Sequence, residues 1–232
     1  MTVSERDPLE VRPLSRDDLC DGSALQNYLR ARVPYAWTAE QIDRSLAETM
    51  TKAPDGDIWL FAYGSLIWNP LVPVAEERVA MVHGLHRSFC IWSELGRGSP
   101  GKPGLVLGLD RGGRCQGVVL RLERHHALAE LRMVWRREMV TGAYRPTWVK
   151  ARTDAGPVSA IAFAVERRAK GYAGRLDDER VVSVLETAGG FLGPCSEYLT
   201  QTIAGLSTRG IHDPFLDRLA ARCACPPSAD AA

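Results

Sequence analysis

Glu138 is a carboxylate at a position where the sequence predicts a buried helix face. Four residues of a predicted helix at 125–139 are spaced three, four and three positions apart: Leu128, Leu131, Trp135 and Glu138. This spacing puts all four side chains on one face. Burial would raise the pKa of Glu138, and a glutamate with a pKa near neutrality suits proton transfer. Alternatively, the helix ends there and Glu138 reaches solvent or pairs with Arg137 or Arg145.

The stretch 58–68 is an apolar run with aromatic members, interrupted by Gly64-Ser65. The part before the interruption is typical of a buried strand. Glycine has no Cβ, so the backbone can bend there and expose N–H groups, which can bind an anion such as a carboxylate. The other interpretation is a tight turn between two buried segments that bind no ligand.

The segment 96–104 contains GxxxxGK, the beginning of a phosphate-binding loop. The next position should be Ser or Thr to hold Mg²⁺, but it is Pro103, and a strand pattern follows where a helix is needed. We therefore interpret the segment as a rigid basic loop. Its two cations, Arg97 and Lys102, are candidates to face an anionic ligand, although a solvated loop is the commoner case.

The composition excludes several classes of protein. The chain has 232 residues, is 25% charged and carries a net charge of +1, which gives no reason to expect a nucleic acid or an acidic membrane as partner. No apolar run approaches the ~20 residues of a membrane span, and the N-terminus lacks the apolar core of a signal peptide. The six cysteines form no CxxC pair, so we expect reduced thiols in the cytoplasm and neither zinc nor disulfides. Cys223-Ala224-Cys225 is an unfavourable metal site before a tail that we expect to be disordered.

Three regions are expected along the chain: a helical extension at 1–57, a catalytic domain at 58–222 and a tail at 223–232. In the extension, a helix is predicted within 15–32, and Thr38 and Gln41 form a capping-box pattern before a second helix. We expect these helices to lie on the outside of the fold. A further helix is predicted between a cap at Asp177-Asp178 and a stop at Gly189-Gly190, and two more are predicted at 196–206 and 214–222.

The β-strands are predicted to lie mostly within 58–165. Gly112-Gly113 and their neighbours predict a hairpin turn at 110–113 between two of the strands. With no alternation of strands and helices, the pattern favours an α+β fold or a small barrel over a doubly wound sheet. Besides the apolar run before Gly64, the predicted strands are 79–82, 89–93, 105–109, 115–120, 144–151 and 158–165.

Taken together, these segments resemble the ChaC-type γ-glutamylcyclotransferases. The matching segments occur in the family's order and cover roughly 58–222. They are 61–68 (FAYGSLIW), 97–104 (RGSPGKPG), Arg137-Glu138 with Tyr144-Arg145, and 197–199 (EYL).

The resemblance implies a small mixed β-barrel with flanking helices, in the cytoplasm and without a cofactor. It implies a small-molecule substrate, glutathione, cleaved into 5-oxoproline and Cys-Gly by attack of the glutamyl amine on its own γ-amide carbonyl. Glu138 corresponds to the family's catalytic acid and base. Six further residues correspond to its substrate-binding residues: Tyr63, Gly64, Ser65, Leu66, Tyr144 and Tyr198.

Three other functions remain open from the sequence. Ser65 could be the nucleophile of a hydrolase, although it lacks a G-x-S-x-G elbow and has no evident histidine partner. The chain could instead bind a γ-glutamyl ligand without reaction, as a regulatory protein. It could also act on a γ-glutamyl peptide or amine other than glutathione.

Overall fold

A computed structural model describes residues 32–94 and 96–223. The helix predicted within 15–32 lies outside these residues apart from its last position, and so does the tail after Cys223. None of the helices in the described part of the chain is long and apolar enough to cross a membrane.

Five strands close into a barrel in the order β1-β3-β2-β4-β5. The barrel is closed by parallel pairing between β1 and β5, whereas β1–β3, β2–β3, β2–β4 and β4–β5 are antiparallel. This confirms the predicted α+β class and the small mixed barrel. The strands are β1 (Trp59–Ala62), β2 (Val74–Ser93), β3 (Gly104–Leu122), β4 (Tyr144–Thr153) and β5 (Gly156–Val165).

Two long strands stand where the sequence predicts four short ones. Residues 110–113 lie inside β3, which pairs with β2 on both sides of them, so the predicted hairpin turn is wrong. The pairing register shifts near Gly84, and Gly84, Gly112 and Gly113 all have φ between +66° and +99°. Glycines with positive φ bend a strand at a bulge as readily as they form a turn. Local sequence does not distinguish these two uses.

The helices pack on the outside of the barrel and at its ends, and a short two-stranded sheet connects two of them. The helices are α1 (Ala39–Met50), α2 (Ala127–Glu138), α3 (Asp178–Thr187), α4 (Cys195–Ser207) and α5 (Pro214–Cys223), and the small sheet pairs β6 (Gly189–Gly190) with β7 (Gly193–Pro194).

The helix of the N-terminal extension, α1, is part of the main core. Its predicted capping box is confirmed, because the side chain of Thr38 accepts from the Gln41 backbone and the Gln41 side chain accepts from the Thr38 backbone. Ile42 and Leu46 are buried in the same cluster as the barrel interior. In addition, the indole of Trp148 on β4 donates to a carbonyl at the end of α1. The extension is therefore joined to the barrel by packing as well as by sequence.

The buried face of α2 differs from the prediction at one position. Leu131 and Trp135 are fully buried, but Leu128 is 51% exposed, so its predicted burial is wrong. Leu128 shares their face and lies in the first turn of the helix, where its side chain is left uncovered although Glu130 of the same turn is buried. Spacing predicts which way a side chain points, whereas the neighbouring elements decide whether anything covers it.

Candidate active site

All seven residues predicted for the site line one small pocket of about 20 Å³ at the end of β1. The pocket lies between the turn that follows β1, the last residue of α2, the first residue of β4 and a tyrosine of α4. Two further residues, Leu107 and Phe163, complete its lining.

Glu138 brings an unsatisfied carboxylate to this pocket. Its side chain is 12% exposed, and Oε1 is buried without a hydrogen-bond partner among the described residues. Arg137 Nε lies 3.1 Å from Oε1, which is close enough for the ion pair that the sequence offered as an alternative. The contact does not have the geometry of a hydrogen bond. Burial raises the pKa of the Glu138 carboxyl, and the Arg137 charge opposes that rise only in part. This oxygen is therefore available to a proton-bearing group of a ligand.

Arg137 fixes the turn after β1 to the end of α2. Its guanidinium donates to Ser65 Oγ at 2.7 Å and to the backbone carbonyl of Asn69. A guanidinium cannot act as a base in proteins. None of the five histidines of the chain lines this pocket. None lines the larger cavity that adjoins it, described below, either. The geometry therefore does not support Ser65 as the nucleophile of a hydrolase.

The turn itself offers backbone donors, as the sequence predicts. Residues Ser65–Ile67 form a short 3₁₀ helix, and Ile67 donates its N–H to the Gly64 carbonyl. The N–H groups of Gly64, Ser65 and Leu66 donate to no acceptor within residues 32–94 and 96–223. Consecutive free N–H groups favour a carboxylate or a developing oxyanion.

Three tyrosines line the pocket with the carboxylate, and the hydroxyls of two of them already donate hydrogen bonds to backbone carbonyls. Tyr63 donates its hydroxyl to the Phe163 carbonyl at 2.7 Å, and Tyr144 donates to the Leu107 carbonyl at 2.9 Å. Burial, above all, raises the pKa of Tyr63, Tyr144 and Tyr198, so these phenols stay neutral. The phenolic oxygens of Tyr63 and Tyr144 can still accept, which suits a ligand ammonium group.

A larger cavity of about 220 Å³ adjoins the pocket and shares Ser65, Glu138, Tyr144 and Tyr198 with it. Most of its remaining wall is apolar or aromatic. We call the small pocket the inner pocket and this larger space the outer cavity.

Of the two predicted basic residues, only Arg97 lines the outer cavity; Lys102 is exposed and lines neither space. Arg97 is buried, and its guanidinium donates to Glu197 at 2.9 Å, to Gln201 and to the Pro194 carbonyl. It also lies 5.7 Å from the ring centre of Tyr198. Its bonds join the loop at 96–104 to α4, so most of its donors are already used.

Sequence reasoning missed several residues of the site. Leu107 and Phe163 lie in the apolar runs of ordinary core strands, and barrel closure brings them to the pocket. Val33 and Tyr35, from the extension, line the outer cavity although no local motif marks them. No group of three or more His, Cys, Asp or Glu side chains within the described residues is arranged to hold a metal ion.

Comparison with known proteins finds relatives of this chain in bacteria and mammals. The chain is 36% identical over 208 residues to the glutathione-specific γ-glutamylcyclotransferase of Escherichia coli, covering 89% of this chain and 90% of that protein. It is 33% identical to the mouse glutathione-specific γ-glutamylcyclotransferase 1 over 153 residues, 62% of this chain and 69% of that one.

Solved structures share the fold. The crystal structure of a yeast γ-glutamyl cyclotransferase specific to glutathione superimposes with a TM-score of 0.67, at 19% identity, over 73% of this chain and 96% of that chain. The model of the ChaC-like protein family matches residues 58–224, from the residue before β1 to just beyond α5. The chain therefore belongs to the ChaC-like family.

Proposed function

We propose that the protein is a glutathione-specific γ-glutamylcyclotransferase, which releases 5-oxoproline and Cys-Gly from glutathione. The observation that carries the proposal is the buried, unpartnered carboxylate oxygen of Glu138 in one pocket with three free backbone N–H groups. The names of the relatives from E. coli and mouse support the choice of glutathione.

In the proposed complex, the glutamyl end of glutathione enters the inner pocket and Cys-Gly lies in the outer cavity. The N–H groups of Gly64, Ser65 and Leu66 bind the α-carboxylate or the oxyanion that develops on the γ-carbonyl oxygen. The oxygens of Tyr63 and Tyr144 accept from the α-ammonium group. Holding the amine against the γ-carbonyl carbon can supply about 7–11 kcal/mol of the barrier.

The reaction then needs one group that moves a proton. Ionised Glu138 takes a proton from the α-ammonium, and the free amine attacks the γ-carbonyl carbon to form the C–N bond of the five-membered ring. Glu138 returns the proton to the departing amide nitrogen as the original C–N bond breaks, then takes the second proton from the ring nitrogen and passes it to the amine of Cys-Gly. The lactam nitrogen ends with one hydrogen, Cys-Gly leaves as an ammonium, and Glu138 is ionised again. Because the nucleophile belongs to the substrate, the proposed steps use no nucleophile of the enzyme. We expect 5-oxoproline release to persist after chelation and dialysis.

The test is the substitution Glu138→Gln, which keeps the shape and removes the base. Release of 5-oxoproline in single-turnover assays should fall by about 10²–10⁴-fold, whereas glutathione binding measured by calorimetry should persist. Glu123→Gln, at an exposed position outside both spaces, is the matched control and should keep wild-type rates.

A folded Glu138→Gln protein that retained most of its rate would leave the mechanism without a base and refute it. Wild-type protein that bound glutathione without releasing 5-oxoproline would favour a regulatory binding protein instead. A panel of γ-glutamyl peptides and amines, assayed in parallel, would show whether another member of this class is preferred.

A further inference from the structure

A segment that precedes the family-matched region forms part of the outer cavity. Val33 and Tyr35 line that cavity, whereas the family match begins at residue 58. Neither residue lines the inner pocket. The family-matched part of the chain therefore builds the inner pocket by itself, and the extension adds a wall only to the outer cavity.

The segment is held firmly against the site. The Trp37 N–H donates to the Val140 carbonyl at 2.7 Å, two residues beyond Glu138. Val33 is 3% exposed and packs with Met133 of α2. At Gly142, with φ +63°, a Cβ would lie 2.2 Å from the Trp37 indole nitrogen, so glycine is needed for this close contact. The wall is therefore attached to the same chain segment that carries the proposed base.

Tyr35 has a defined place within this wall. Its ring packs in an apolar cluster that includes Val33 and Met133. Burial, and after it the neighbouring Glu94 carboxylate, raises the pKa of the Tyr35 hydroxyl, and Glu94 also lines the outer cavity. The Lys170 ammonium lies 5.5 Å from the centre of the Tyr35 ring. The hydroxyl and the ring are thus both positioned by neighbours, which presents the aromatic face as a fixed surface.

We propose that Tyr35 is a specificity-determining residue that contacts the leaving-group half of the substrate. The inference rests on the proposed function: a glutamyl end beside Glu138 and the 64–66 turn leaves only the outer cavity for the rest of the molecule. There, Tyr35 selects γ-glutamyl compounds whose leaving group is long enough to reach its ring, as a dipeptide is. Compounds with a short amine leaving group stay close to the inner pocket and do not contact the Tyr35 ring.

The experiment compares two compounds that differ only in the leaving group. KM and kcat are measured for glutathione, and γ-glutamylmethylamide is measured as a competitive inhibitor of that reaction, which needs no turnover of the amide. Tyr35→Ala should raise KM for glutathione about tenfold, since a few lost pocket contacts are worth about 10–200-fold. It should change kcat and the inhibition constant of the amide less than about twofold.

Two further substitutions separate contact from stability. Tyr35→Phe keeps the ring and should stay within about twofold of wild type in KM. Tyr172→Ala is the matched control, because Tyr172 is also a half-buried tyrosine beside a carboxylate but lines neither space. Its hydroxyl donates to Asp110 at 2.8 Å. This control should leave KM unchanged. If Tyr35→Ala does not fold, Tyr35→Trp, which narrows the cavity, should raise KM for glutathione and spare the amide.

Some results would overturn the inference while leaving the proposed function intact. The first is a Tyr35→Ala variant whose KM for glutathione equals that of the wild type. The second is a Tyr35→Ala variant that binds glutathione and the amide more weakly by the same factor. The third is an equal rise in KM for glutathione in Tyr172→Ala. Wild-type protein without turnover of glutathione would overturn both.

Discussion

At the scale of single residues, the site depends on a carboxylate whose environment disfavours its charge. Glu138 is the last residue of α2, and its Oε1 has no hydrogen-bond partner among the described residues. Burial raises its pKa, and Arg137, which is mainly occupied by Ser65 and Asn69, opposes that rise. A buried ion without full pairing costs stability. We therefore interpret Glu138 as a residue that lowers the stability of the fold and serves in proton transfer.

This interpretation predicts how stability depends on pH. The native pKa of Glu138 is raised above the unfolded value of about 4.3, so the native state keeps a proton that the unfolded state has released. Wild-type stability should therefore fall as pH rises between the two pKa values. Glu138→Gln has no such titration, so its melting temperature should match wild type in acid and exceed it increasingly toward neutral pH.

Thermal unfolding of both proteins across pH 4 to 8 would check this, with the exposed substitution Glu123→Gln as control. A wild type that becomes more stable than Glu138→Gln as pH rises would show that the ion pair with Arg137 outweighs desolvation, and the residue would then be structural.

At the scale of elements, the turn between β1 and the 3₁₀ helix holds the backbone of Gly64 close to the Tyr198 side chain. A Cβ built on Gly64 lies 2.8 Å from the Tyr198 hydroxyl oxygen, with Leu107 next nearest. Gly98 is a second such position, because its Cβ would lie 2.0 Å from the Gly104 backbone nitrogen. These glycines permit close approach of neighbouring segments, and Gly64 has that role inside the proposed site.

We therefore expect Gly64→Val to damage activity strongly. The valine side chain must displace Tyr198 or the turn, and displacements of about 1 Å in a site can cost about 10²-fold in rate. The matched control is Gly101→Val in the 96–104 loop, where nothing lies within 4 Å of the added Cβ. Rates of 5-oxoproline release, corrected for folded protein by circular dichroism, would compare them. Wild-type turnover in Gly64→Val would mean that this turn does not touch the substrate.

At the scale of the whole molecule, the buried cation of Arg87 joins the site to the barrel and to the start of α5. Arg87 of β2 donates to the Tyr63 carbonyl at 2.6 Å, to the Gln116 carbonyl of β3 at 2.8 Å, and to Asp213. Asp213 in turn accepts from the first backbone N–H groups of α5. Removing this guanidinium takes a donor away from each of these three acceptors.

Arg87→Met should accordingly destabilise the protein by about 3–5 kcal/mol, the usual cost of breaking a buried pair from one side. Arg78→Met removes a cation from the same strand, but its pair with Glu76 is half-exposed, with side chains 30% and 34% accessible, so we expect a loss within about 1 kcal/mol. Urea unfolding of both variants would measure the difference. Equal losses would contradict the central position that we assign to Arg87.

The sequence by itself determined the elements and the identity of the candidate site. Apolar runs, capping residues and glycines are local signals, so the buried strand before Gly64, the capped helix at 39–50 and the ending of α2 near Glu138 are confirmed at the expected places. The matched segments 61–68, 137–138, 144–145 and 197–199 were sufficient for the family, since their order and types are visible without coordinates.

Tertiary structure alone decided how those elements meet. Glycines at 112–113 predict a turn, yet long pairing with β2 keeps them in one strand, because hydrogen bonds on both sides outweigh a local preference. Leu128 is 51% exposed, although Leu131 and Trp135 on the same face of α2 are fully buried. Leu107, Phe163 and Tyr35 join the site only through barrel closure and docking of the extension. Such contacts connect residues far apart in sequence, and no local pattern encodes which distant surface a side chain will meet.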